Sequence, residues 1–136
     1  MDTYHRFHSH GTYWLMRAEH LTIVLLGSLL VLWHYTELNW LRFIVVLVII
    51  DLLGYLPGAI AYRRAQGVPI HPWYHYLYNF MHSYLTWLPL IALWSWNIGG
   101  WEWAMLAVPI HLSGDRGIFG NVFKPIALPF EPVAGK

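Results

Sequence analysis

A chain of 136 residues that is 57% hydrophobic, 18% aromatic and only 11% charged departs from a soluble domain, where about a quarter of residues carry charge, and points to a lipid-facing protein. With no cysteine it has no disulfide framework, thiolate metal site or cysteine nucleophile, so any metal must be held by His, Asp, Glu or Asn. A net charge of +1 leaves no footprint for nucleic acid, and the length suits one domain, 1–136, without internal repeats.

The first twenty residues are polar and His-rich and lack the continuous apolar stretch of a signal peptide, so the first span is expected to persist in the mature protein. Within them, His5, His8 and His10 form a candidate metal-binding tail, although a solvated polar tail is the simpler reading. A bilayer core about 30 Å thick needs roughly 20 helical residues. On that measure the sequence predicts an all-α protein, a four-helix transmembrane bundle with spans near 19–36, 41–62, 72–96 and 101–116. Pro72 suits the first turn of the third span. Pro57, Pro89 and Pro109 fall inside spans and predict kinks that neighbouring helices must repair.

Charge sets the expected orientation. Arg6, Arg17, Arg63, Arg64, Arg116, Lys124 and Lys136 share one side of the four-span arrangement, and only Arg42 falls on the other. Under the positive-inside rule both termini are cytoplasmic in a bacterial inner membrane, with Trp40, Trp96, Trp101 and Trp103 in the outer aromatic belt. His34 is then an interfacial histidine, and Glu19 and His20 are helix-end groups or supports for a buried site.

Asp51 sits in the middle of an apolar run where a carboxylate is costly. At about 1.5 Å per residue, Asp51, His82 and His111 all lie roughly 15 Å from the ends of their spans, so three helices bring polar groups to one level. His75, Asn79 and His82 are spaced i, i+4, i+7 on one face, and His111 and Asp115 are i, i+4 on another. Gly54 and Gly58 offer close helix approach beside Asp51 and Tyr55. Imidazole and carboxylate together suit a divalent metal, zinc first and iron or manganese next. The competing reading is interhelical pairing of the same side chains without an ion. The spacing His71-x-x-x-His75 is reminiscent of membrane di-iron histidine boxes, but the further boxes are absent. Gly114 and Gly117 around Asp115 and Arg116 suggest a helix end passing into an ordered segment through Gly120.

The blocks Asp51-Leu-Leu-Gly54-Tyr55, Tyr78-Asn79-Phe-Met-His82 and His111-Leu-Ser-Gly-Asp115-Arg116, in that order, resemble a family of small bacterial four-span integral membrane proteins of unassigned function. The resemblance covers nearly the whole chain, which departs from the family in the stretch 63–74 and at Asn121-Val-Phe. A looser similarity is to membrane-bound metal-dependent hydrolases, and it implies that Asp51, His82, His111 and Asp115 are the metal-binding positions.

The resulting expectation is a hydrolase of an amphiphilic ester or phosphoester. Asp51, His82, His111 and Asp115 hold the metal, His75 or Asn79 positions water or substrate, and Arg116 lies near an anionic headgroup. The alternative is a non-catalytic accessory subunit packed against larger membrane proteins or pigments. Membrane lipids are expected partners in either case.

Overall fold

The computed structural model describes residues 9–131, and His5, Arg6, His8 and Lys136 lie outside the described residues. Six α-helices follow in order: α1 (His10–Trp33), α2 (Trp40–Gly54), α3 (Leu56–Ala65), α4 (Trp73–Met81), α5 (Tyr84–Ile98) and α6 (Ala107–Gly114). A 3₁₀ turn, Trp103–Leu106, leads into α6, and a π turn, Asp115–Phe119, continues it. Among the described residues there is no strand, so the all-α expectation holds.

Local chemistry sets the boundaries. The Ser9 hydroxyl accepts from Thr12 N at the start of α1, and the Asn39 side chain accepts from Arg42 N at the start of α2. Only Tyr55 interrupts α2 and α3, with the bonds Tyr55 N to Asp51 O and Ala59 N to Tyr55 O (2.9 and 3.0 Å) running across it. Pro57, which has no N–H to donate, explains the interruption. Two helical stretches, His10–Trp33 and Trp40–Ala65, are long and apolar enough to cross a membrane, with mean hydropathies of 1.7 and 2.4.

The stretch expected as a third span is not one helix. It breaks at His82 and Ser83, where Ser83 is extended (φ −105°, ψ 132°) and its hydroxyl accepts from Leu85 N to start α5. A break in an apolar setting frees carbonyls that need donors. The Trp87 indole supplies one to Met81 O (2.6 Å), and the Arg116 guanidinium supplies one to His82 O (3.2 Å). Among the expected kinks, Pro57 coincides with a break, whereas α5 runs through Pro89 without interruption. The last helical stretch is shifted toward the C-terminus relative to 101–116, beginning with the 3₁₀ turn at Trp103 and α-helical only over Ala107–Gly114. It continues to Phe119 and ends at Gly120, whose φ of 73° belongs to the left-handed region.

Three apolar clusters lie along the bundle. Ile50, Trp87, Val108 and Leu112 form the middle one; Val31, Leu38 and Leu106 form one end, and Ala59, Tyr78 and Phe130 the other. Gly117 lets the last helix press on α1, since a Cβ there would stand 2.8 Å from Leu21 N. The expected glycine contacts divide: Gly54 accommodates Met81 and His82, while Gly58 faces the Phe130 ring from the C-terminal segment rather than a helix.

The two ends of the bundle carry different charges. At one, Arg17 donates to the carbonyls of Gly117 and Ile118 (2.9 and 2.7 Å). At the other, Arg42 pairs with Glu102 at 2.8 Å, and Glu102 also accepts from the Trp94 indole. Beside them His34 stacks on Trp103 with ring centres 3.7 Å apart, and both rings bond Glu37 at 3.1 Å. Those two bonds, His34 foremost, hold the Glu37 carboxyl below its ordinary range.

Candidate metal centre

Asp51 in α2, His82 at the end of α4, His111 in α6 and Asp115 at the first residue of the π turn bring one ligand atom each to a common point, all within 4.8 Å of one another. The distances alternate around a ring. His82 Nε2 is 3.2 Å from Asp51 Oδ1 and 3.2 Å from Asp115 Oδ2, while His111 Nε2 is 3.6 and 3.7 Å from the same two oxygens. Metal–ligand arms of about 2.0–2.2 Å at tetrahedral angles would separate every pair of ligand atoms by about 3.3–3.6 Å; the four neighbouring contacts straddle that range, and the separations across the ring, which reach 4.8 Å, would close on an ion.

Proton placement sharpens the point. His82 Nδ1 lies 3.0 Å from the Tyr78 carbonyl, and a carbonyl only accepts, so Nδ1 carries the hydrogen. In the neutral ring, Nε2 then turns a lone pair toward two carboxylate oxygens. Nothing in that arrangement is attractive without a proton or a cation among the four. His111 Nε2 is buried with no hydrogen-bond partner, 3.6–3.7 Å being too long for one, and Asp115 Oδ2, also buried, has only His82 Nε2 at 3.2 Å beside it. Ionised Asp51 and Asp115 with two neutral imidazoles carry two negative charges, which a divalent cation neutralises.

The surroundings hold the ligands in place. The Tyr78 ring stacks on His82 at 3.9 Å with planes 14° apart, and its carbonyl fixes the tautomer, the usual task of a group behind a metal-binding histidine. A Cβ at position 54 would stand 3.1 Å from two atoms of the His82 ring, so glycine makes room for the imidazole. Asp115 and Arg116 lie on a π turn, a widening often found at functional sites. His82 is 2% exposed, whereas the Asp51 side chain is 50% exposed, so the ring opens sideways at Asp51.

The structure places the other expected residues elsewhere. His75 Nε2 lies 3.2 Å from Leu128 O, and the Asn79 amide donates to Lys124 O at 3.0 Å and accepts from Lys124 N at 2.7 Å. Both therefore pin the C-terminal segment, whose backbone groups need partners beneath α4, instead of facing the ring of ligands. Arg116 caps the broken helix at His82 O and lies between the Tyr84 and Phe123 rings, at 4.9 and 5.6 Å. His71 accepts from Trp73 N while His75 bonds Leu128, so the two share no site. His10 accepts from the Trp14 indole.

His20 is among the supports the sequence suggests, whereas the roles of Ser113, Tyr84 and Lys124 are not legible in it. His20 bonds Ser113 (3.1 Å) and Ser113 bonds Tyr84 (2.8 Å), joining α1, α6 and α5 through a hydroxyl that is fully buried. Ser113 alternates along the chain with His111 and Asp115, a spacing that carried no signal by itself. Lys124 donates to Phe130 O and lies over the rings of Phe130, Tyr78 and Tyr55 at 4.4, 4.8 and 5.5 Å. Burial among these rings pushes the Lys124 ammonium below its ordinary range, and the Glu131 and Asp115 carboxylates oppose that shift.

No family model matches the chain, and neither the curated proteins nor the solved structures yield a match. The chemistry of the site therefore rests on its own geometry.

Proposed function

We propose that this protein is a four-span integral membrane protein, both termini cytoplasmic in a bacterial inner membrane, that holds a divalent metal on Asp51, His82, His111 and Asp115. The observation that carries the reading is the alternating ring of four ligand atoms within 4.8 Å, two of them buried with no hydrogen bond made. Two imidazoles and two carboxylates favour zinc, with iron and manganese next. In a four-span arrangement α4 with α5 supplies the third crossing, and the 3₁₀ turn, α6 and the π turn supply the fourth. The pairing of Arg17 with 117–118 at one end and of Arg42 with Glu102 at the other supports that layout.

The activity we propose is metal-dependent hydrolysis of an ester or phosphoester in an amphiphile. An ion held by Asp51, His82, His111 and Asp115 would supply Lewis acidity for breaking such a bond. The protein's own part is to fix the His82 tautomer through Tyr78 O, to keep His82 and His111 dry, and to leave the Asp51 side open for a substrate arriving laterally from the bilayer.

A second reading, an accessory subunit, draws on the broad apolar surface of α1 and α5, where Leu32, Trp33, Leu85 and Trp96 are 68%, 83%, 85% and 86% exposed. Elemental analysis of the purified protein beside Asp51→Asn and His111→Ala separates the two. The metal reading expects about one ion per chain in the parent and background levels in both variants. Background metal in the parent, or metal that both variants retain, favours the accessory subunit.

A further inference from the structure

Phe130 belongs to no helix, yet it is 1% exposed and among the largest fully buried side chains of the described residues. Gly58 makes the notch that receives it, since a Cβ there would collide with the ring. The backbone around Phe130 is held as well. Lys124 Nζ donates to Phe130 O, His75 Nε2 bonds Leu128 O, and the Tyr55 hydroxyl donates to Glu131 Oε1 at 2.8 Å.

What the ring touches connects it to the metal centre. Its centre lies 6.1 Å from that of Tyr55 with planes 22° apart, and 6.0 Å from that of Tyr78 with planes 87° apart. Tyr55 stands one turn after Asp51, and its N–H donates to Asp51 O at 2.9 Å. Tyr78 stands one turn before His82, stacks on the His82 ring at 3.9 Å and offers its carbonyl to His82 Nδ1 at 3.0 Å. Phe130 is therefore a wedge between the two turns that present Asp51 and His82, whose ligand atoms are 3.2 Å apart. Close packing transmits a displacement of the wedge to its walls, and metal–ligand arms of about 2.0–2.2 Å leave little room for one.

We infer that Phe130 is a positioning residue for the metal centre: wedged between Tyr55 and Tyr78, it sets the spacing of Asp51 and His82. Docking of the C-terminal segment and binding of the ion then strengthen each other by the same factor. The inference rests on the metal site proposed above and adds a control on its affinity from a part of the chain that supplies no ligand.

The test is zinc titration of the full chain in lipid nanodiscs, read by competition with a zinc-binding dye. Phe130→Ala is expected to raise the zinc Kd about tenfold, the usual scale for groups that orient metal ligands. Gly58→Ala, whose methyl evicts the ring, is expected to raise it similarly, and the double variant no further than either single one. Leu38→Ala, in the apolar cluster at the opposite end of the bundle, is expected to lower Tm and keep the parent's Kd, which separates positioning from lost stability. An unchanged Kd in Phe130→Ala, effects that add in the double variant, or equal weakening in Leu38→Ala overturns the inference and leaves zinc binding in place. A parent that binds no zinc overturns the metal site and this inference together. If Phe130→Ala does not fold, hydrogen exchange of the parent decides. Saturating zinc is expected to slow exchange of the backbone amides within 126–131, and exchange that zinc leaves unchanged overturns the coupling.

Discussion

Two polar clusters are buried on opposite sides of the same last helix, and they differ in one respect. His20, Ser113 and Tyr84 join three helices through contacts of 3.1 and 2.8 Å in which hydroxyls can donate and accept as needed. Asp51, His82, His111 and Asp115 also come from three helices, yet they set two carboxylates against two imidazole nitrogens and leave His111 Nε2 without a hydrogen-bond partner. The first cluster is complete as protein. The second needs either a further proton on His82 Nε2 or a bound cation, and this contrast separates an interhelical hydrogen-bond stitch from a candidate binding site.

The largest expected effect follows directly. Asp115→Asn removes one of the two charges that hold the ion and is expected to lower metal content to background, whereas Ser113→Ala, two residues away, keeps full stoichiometry and loses about 1 kcal/mol of stability. Metal analysis and denaturation of both variants check this, and equal metal loss in both would erase the distinction.

Steric support should matter next. Gly54→Ala puts a methyl 2.7 Å from Met81 Cβ and 3.1 Å from the His82 ring. The expected cost is about 1–3 kcal/mol of stability together with a measurable fall in metal affinity. Gly117→Ala collides instead with the α1 backbone at Leu21 N, so it should destabilise to a similar extent by separating the last helix from α1. Competition with a metal-sensitive dye against a denaturation curve resolves the two effects.

The smallest effect is at the far end. The bonds from His34 and Trp103 depress the Glu37 pKa below its ordinary 4.5, so the carboxylate's contribution is fully present above pH 4.5 and is lost as pH falls through the depressed value. Glu37→Gln should flatten that acid limb of a stability profile while leaving metal content near neutrality untouched. A variant that keeps the parent's acid limb would remove Glu37 from the account.

How much of this was legible in the sequence depends on the kind of signal. The helical class and the meeting of Asp51, His82, His111 and Asp115 followed from apolar run length, depth and i, i+4 spacing, quantities that a helix preserves. The break at His82 and Ser83 was not legible. No glycine or proline marks it, and its carbonyls are repaired by Trp87 and Arg116 from elsewhere in the chain. His75 and Asn79 share the helix face of His82 in periodicity, but the break and the C-terminal segment claim them for Leu128 and Lys124. Spacing places residues on a face, and only tertiary packing decides what that face meets.

The central claim, that the ring of two imidazoles and two carboxylates holds an ion, is tested most directly by X-ray absorption at the metal edge of the purified, detergent-solubilised protein. The account predicts nitrogen and oxygen ligands at about 2.0–2.2 Å with the outer-shell scattering of two imidazoles, reduced to one in His111→Ala. An absent edge, or an oxygen-only shell that His111→Ala leaves unchanged, would contradict it.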